Sequence, residues 1–240
     1  MHRDLTLARI LTFGPVAFGL PIATLAVFAF GADRERVADT IAIIFSVALC
    51  LGIATPLLPL PSLRGWTKHQ RLESAVLSFL IVSYVTHLTW EFGWLVLRDA
   101  IRTHHDAAWS YAWWVYIDGG DARYASSDAS LVAIEILSVV NGLIGLTGLS
   151  LYVRSKGTRR LAFQLIMATA VVHLYSTSLY MLSEIVAGLP SVDTTSFVAT
   201  FFKFGLANAP WLVVPWGVLA WGARRLDALP AEPRAEGPRA

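Results

Sequence analysis

LESAVLSFLIVSYVTHLTWEFGWLVL, residues Leu72–Leu97, decides the fold. A helix that crosses a bilayer needs about 20 predominantly apolar residues. This run exceeds that length and contains only Glu73, His87 and Glu91 as acidic or basic side chains. Five runs of the same kind surround it: Ile10–Phe30, Ile41–Leu60, Ala129–Val153, Leu161–Ala187 and Phe197–Trp221. The first follows Arg3 and Arg9 and precedes a weak Ala29-Phe30-Gly31 cleavage site. Its apolar part outruns the roughly 7–15 residues of a signal peptide core, so it reads as a span. Across all 240 residues, 55% are hydrophobic and 15% charged, against about 25% charged in an ordinary soluble domain. That distribution excludes a soluble enzyme and a disordered chain. A net charge of +2 provides no footprint for nucleic acid. Cys50 is the sole cysteine, which leaves no intrachain disulfide and no thiolate metal cluster. The expected fold is an all-α integral membrane protein, a bundle of six transmembrane helices.

The basic residues set the expected orientation, since cytoplasmic loops carry the excess of Lys and Arg. Thirteen fall on one side, in the segments around Arg3, Arg64, Arg154 and Arg224, against five on the other. Both termini are therefore expected in the cytoplasm. Residues 1–69 hold the first two spans and a cytoplasmic loop, and 70–225 hold four spans. Residues 226–240, rich in Pro, Ala and Arg, read as a disordered tail. The long connection Arg98–Asp128 lies on the non-cytoplasmic side and carries Trp109, Tyr111, Trp113, Trp114, Tyr116 and Tyr124. It reads equally as an interfacial aromatic belt or as a lid over a site.

An ionisable side chain inside a span costs a few kcal/mol and asks for a reason. His87, Glu91 and Trp94 follow i, i+4, i+7 and share one helical face. Glu135 and Ser138 share a face with Gly142; His173, Thr177, Tyr180 and Glu184 share another; Phe201, Phe204, Asn208, Trp211 and Pro215 share a third. At about 1.5 Å per residue, Glu91 and Glu135 both lie roughly 9 Å from the non-cytoplasmic ends of their spans, Tyr180 about 10 Å, His87 about 15 Å, Asn208 about 16 Å and Trp211 about 21 Å. One pocket, open or lidded toward that side and floored by Trp211, satisfies these depths. Blander roles exist. His173 and Asn208 can serve as helix-packing hydrogen bonders. Glu184 can be solvated at the interface, and Lys203 can snorkel along its stem. Gly142, Gly145 and Gly148 suit close helix packing. Two acids at one depth beside an imidazole are an expensive way to pack helices.

An apolar cavity with a proton donor, a proton acceptor and an aromatic wall suits a carbocation, because ring faces stabilise cations. The matching substrate is a lipid with a carbon–carbon double bond. No three- or four-ligand metal set, Gly-x-Ser-x-Gly elbow or phosphate-cradling loop accompanies it, so neither metal nor organic cofactor is expected.

The ordered set His87-Leu88-x-x-Glu91-x-x-Trp94, Trp114, Gly120-Asp121-Ala122-Arg123-Tyr124, Asp128 and Glu135 resembles the emopamil-binding protein family, or EXPERA domain. Tyr175, Leu179-Tyr180-x-Leu182-x-Glu184 and Asn208-Ala209-Pro210-Trp211 with Pro215 continue the likeness over roughly residues 70–220. The resemblance implies a five-helix core with one helix added at the N-terminus. It also implies sterol Δ8–Δ7 isomerisation through protonation of a ring double bond, a tertiary carbocation and proton loss from a neighbouring carbon. The family's catalytic His and two Glu match His87, Glu91 and Glu135; its cation-facing Trp and adjacent Asn match Trp211 and Asn208. Tyr116 stands nearest the position where the family has a Glu after the loop Trp. His173-Leu174-Tyr175-Ser176-Thr177 replaces its Gln-x-Tyr-Gly-Asp.

Three functions follow as expectations. The first is an isomerase acting on an isoprenoid or sterol lipid, with His87 and Glu91 delivering the proton and Glu135 accepting it or stabilising the cation. Trp94 and Trp211 would shield the cation, Asn208 and Tyr180 would orient the acids, and His173, Thr177 and Trp114 would complete the substrate site. The second is a terpene or meroterpenoid cyclase started by the same protonation. The third is a non-catalytic sterol- or amine-binding protein. A homodimer is compatible with each.

Overall fold

Side-chain caps fix where the helices begin. Asp33 accepts a hydrogen bond from the Arg36 amide at 2.8 Å. Thr67 and Gln70 form a reciprocal capping box, and Asp128 Oδ1 accepts from the amides of Ser130 and Leu131, both at 3.0 Å. Each cap satisfies amide groups that the first turn leaves without partners. The computed structural model describes residues 3–154 and 157–230. Its long helices are α1 (Arg3–Phe28), α2 (Arg34–Ala54) and α3 (Lys68–Thr86), the last running through a π-helical turn, His87–Glu91, into α4 (Phe92–Thr103). Short helices α5 (Tyr111–Gly120) and α6 (Arg123–Ser126) follow, then α7 (Ala129–Arg154) and α8 (Arg159–Val186). A second π-helical stretch, Val198–Leu206, leads into α9 (Ala207–Asp227). Six of these helical runs are long and apolar enough to cross a membrane, and no strand occurs among the described residues. The chain is an all-α, multi-pass membrane protein.

The third span is longer than its apolar run, extending over Lys68–Thr103. The connection after it is therefore shorter than Arg98–Asp128. It folds as a cap: Ala122 donates to the Ser191 carbonyl at 2.8 Å and Asp193 to the Gly119 carbonyl at 2.9 Å. Tyr111 and Arg34 bind the cap to α2. Lys203, buried at 4% exposure, donates to the Asp118 carbonyl at 2.7 Å and pairs with Asp39 at 3.0 Å. It does not snorkel to water; a counter-ion was within closer reach. Glu184 is likewise buried, paired with Arg123 at 3.3 Å and accepting from the Ser191 amide at 2.6 Å. At the opposite end, α9 stays helical to Asp227 and Leu229 packs on the core. The expected tail is thus structured at its start, and residues 231–240 lie outside the described part.

Two apolar clusters brace the bundle. One, around Trp94, Tyr111, Ile117, Leu131 and Phe204, lies beneath the cap. The other, around Phe79, Leu80, Phe163, Ile166 and Trp221, lies toward the chain termini. Between them α7 presses on α3: a Cβ on Gly145 would stand 2.0 Å from the Tyr84 ring, and one on Gly142 would stand 2.9 Å from the His87 Cβ. The absence of side chains at these two positions lets α7 bring Glu135 against the helix that carries His87 and Glu91.

Candidate active site

The π-helical turn decides which side chains meet. A π turn closes i to i+5 bonds and advances less around the axis per residue than an α turn. His87 and Glu91 still meet, with Nδ1 2.5 Å from Oε2, but every later residue is rotated away from its α-helical direction. Trp94, placed on the same face by simple periodicity, is instead fully buried behind the pocket, where its indole N–H donates to the Tyr124 carbonyl at 3.1 Å. Trp90 takes the wall position and meets the rings of Tyr116 and Tyr124 edge-on.

His87 Nε2 lies 2.9 Å from His173 Nε2, and Ser83 Oγ lies 3.1 Å from both. The Trp211 indole donates to that same oxygen at 2.8 Å. Two facing ring nitrogens can share only one hydrogen between them. Glu91, His87 and His173 thus form a continuous proton path, with the Ser83 hydroxyl free to donate to either imidazole. Ser83 was missed in the sequence, although it lies four residues before His87 on the same face.

Glu135 approaches from α7. Its Oε1 accepts a hydrogen bond from the Tyr124 hydroxyl, whereas Oε2 is buried without a partner. Glu91 is its carboxyl neighbour across the pocket. Burial raises the phenols of Tyr116 and Tyr124 above their ordinary value, with Asp121 adding to the first and Glu135 to the second. Both therefore remain hydroxyl donors.

A second hydrogen-bond chain runs under the cap in one direction. Asn208 donates to the Tyr116 hydroxyl at 3.2 Å, Tyr116 to Tyr180 at 2.7 Å, and Tyr180 to Asp121 at 2.6 Å. Arg123 closes it, pairing with Asp121 at 2.7 Å and stacking 4.6 Å from the Tyr180 ring centre. Asn208 and Tyr180 therefore fix Tyr116 and the cap. The acids that they were expected to orient are held by His87 and Tyr124.

The glutamates, imidazoles and phenols of these hydrogen-bond networks border a cavity of about 730 Å³, within the size range of small-molecule sites; Ser83, Asp121 and Arg123 stand behind its lining. His87, Glu91, Glu135, His173, Thr177, Tyr180, Asn208 and Trp211 line it; Trp94 and Trp114 do not. Trp114 donates to the Ile101 carbonyl and packs on His105 beneath the cap. The remaining wall comes from α1 and α2, through Phe13, Leu20 and Phe45. Ile81 and Val85 of α3, which are 55% and 56% exposed, also line the cavity. The cavity therefore reaches the outer face of the bundle beside α1; on the side where the sequence predicts it open or lidded, Val115, Tyr116 and Tyr124 of the cap line it. No group of three or more His, Cys, Asp or Glu side chains is placed to ligate a metal among the described residues.

No family model matches the chain. The 3-beta-hydroxysteroid-Delta(8),Delta(7)-isomerase of Mus musculus is 30% identical over 137 residues, 57% of this chain and 57% of its own length. The Rattus norvegicus enzyme of the same name shows the same identity and coverage. An Arabidopsis thaliana protein, named as a probable enzyme of this kind, is 26% identical over 169 residues, 70% of this chain and 73% of its own length. The chain thus spans little more than half the length of the two mammalian relatives and is similar to sterol Δ8–Δ7 isomerases.

Proposed function

We propose that this chain is an emopamil-binding-protein-like isomerase that moves a carbon–carbon double bond within a sterol or isoprenoid lipid. The observation carrying the reading is a pair of neighbouring carboxyls facing an apolar cavity, one bound to an imidazole and the other to a phenol. Glu91 gives its proton to one alkene carbon and the adjacent tertiary carbon becomes cationic. The Trp90 and Trp211 rings border that cation. Glu135 removes a proton from the neighbouring carbon through Oε2, and the double bond re-forms one position away. The proton gained by Glu135 is released to solvent before the next cycle, and His87 returns one solvent proton to Glu91, so each product carries one solvent hydrogen. The names of the similar proteins support isomerisation. A cyclising outcome, raised by the altered segment His173–Thr177, has no counterpart among them.

Incubation of the purified protein in D2O with a Δ8 sterol and, separately, with a linear polyprenol and its phosphate tests the reaction. One deuterium in a product with a shifted double bond is expected, and Glu91→Gln and Glu135→Gln should each lower its formation at least about 100-fold. Unchanged turnover in both variants would remove the mechanism. Tight amine binding with no label in any lipid would leave a binding protein. The basic-residue asymmetry further supports cytoplasmic termini, which a tag protected from external protease in sealed cells would confirm.

A further inference from the structure

Two cations border the cavity, Arg9 and Lys203. Lys203 is neutralised by Asp39. Arg9 has no carboxylate within 4.0 Å among the described residues, and it lies at the opposite end of the cavity, near the chain termini. A residue this close to the end of a span can turn its head to water. Arg9 turns inward across the bundle to α3, where Nη2 donates to Ser74 Oγ at 2.7 Å and Ser78 Oγ at 3.2 Å. Its Nε is buried and makes no hydrogen bond within the protein. Of the five N–H donors on a guanidinium, only those on Nη2 are engaged. The neighbouring cations are satisfied: Arg225 pairs with Glu73, and Arg71 donates to the carbonyls of Pro56, Leu58 and Leu63.

We propose that Arg9, with Ser74 and Ser78, is the oxyanion-binding end of this cavity, and that its lipid carries a phosphate or carboxylate head group. A planar guanidinium with free donors matches such a group in geometry and charge. Along α3 and its π turn, Ser78 stands about 14 Å from His87 and about 19 Å from Glu91. A head group at Arg9 therefore sets the reacting double bond far down the hydrocarbon chain, at a remove comparable to an extended farnesyl group. That placement rests on the acid–base reading of Glu91 and Glu135; the oxyanion site itself does not.

The probes are farnesyl phosphate and farnesol, titrated into the full chain in phosphatidylcholine nanodiscs and followed by tryptophan fluorescence. The phosphate is expected to bind at least tenfold more tightly than the alcohol. Arg9→Gln should erase that preference while leaving farnesol affinity unchanged, and Arg9→Lys should keep part of it. Equal affinities in the wild type, which need no variant, would overturn the proposal, as would a preference that survives Arg9→Gln. Discs containing phosphatidylglycerol separate the two sources of phosphate. If that lipid abolishes the preference and is retained by the wild type but not by Arg9→Gln in native mass spectrometry, the site anchors a bilayer lipid and the substrate assignment falls. An Arg9-dependent preference without deuterium in any lipid would sink the isomerase and spare this site; turnover without the preference would do the reverse.

Discussion

Tyr124 does two jobs through different atoms. Its carbonyl receives the Trp94 indole and its hydroxyl holds Glu135. The hydroxyl supports the carboxylate only while it keeps its hydrogen, and burial keeps it there. A hydrogen bond to a charged group is worth about 1.5–3 kcal/mol, so Tyr124→Phe should lower kcat by roughly 10- to 100-fold. The pH–rate profile provides the control. Because the phenol's pKa is raised, Tyr124 stays protonated through neutral and moderately alkaline pH, and any alkaline limb below pH about 10 should persist in Tyr124→Phe. Loss of that limb would assign the titration to Tyr124 and remove the donor role. His173 is a change of chemistry at a single position. Its contacts with His87 and Ser83 need a group that can both donate and accept, so Gln should preserve more activity there than Leu, a comparison read in the same turnover assay.

At the scale of the helix, the six spans were legible because each is a long apolar run, and length is what a bilayer demands. Their polar stripes were legible where the helix is regular: Glu135, His173, Tyr180, Asn208 and Trp211 all reach the cavity. Legibility ended at His87–Glu91. A π turn leaves no mark in apolar periodicity, so the sequence placed Trp94 on the wall that Trp90 occupies. The share of α1 and α2 in the cavity was hidden for another reason. Lipid-facing and cavity-facing side chains are both apolar, and Phe13 or Leu20 reads the same in either place. The tight crossing of α7 on α3 makes a sharp test. Gly145→Ala forces the Tyr84 ring to move and should cost about 1–3 kcal/mol. Gly148→Ala meets Ile166 at the milder distance of 3.1 Å and should cost less, both measured by thermal unfolding in detergent.

In the whole molecule, the cap is held by buried charge. Lys203 ties α2 to the carbonyl of Asp118 in α5, and the cluster Arg123, Asp121 and Glu184 ties the cap to α8. Removing one member of a buried pair strands its partner, at a cost of about 3–5 kcal/mol when burial is complete. Asp39 is 34% exposed, so Lys203→Met should cost less, about 1–3 kcal/mol. Adding Asp39→Asn should restore part of the loss, because no lone charge then remains. Unfolding midpoints of the two single variants and the double variant check the coupling.

The exposed flank of the cavity at Ile81 and Val85 joins the interior to the hydrocarbon layer. A lipid arriving there has never left its own phase, and the product returns to the same phase. Catalysis should then follow surface-dilution kinetics. The rate should depend on the mole fraction of substrate within the vesicle, fall when inert lipid is added at constant total substrate, and stay unchanged when the whole suspension is diluted with buffer.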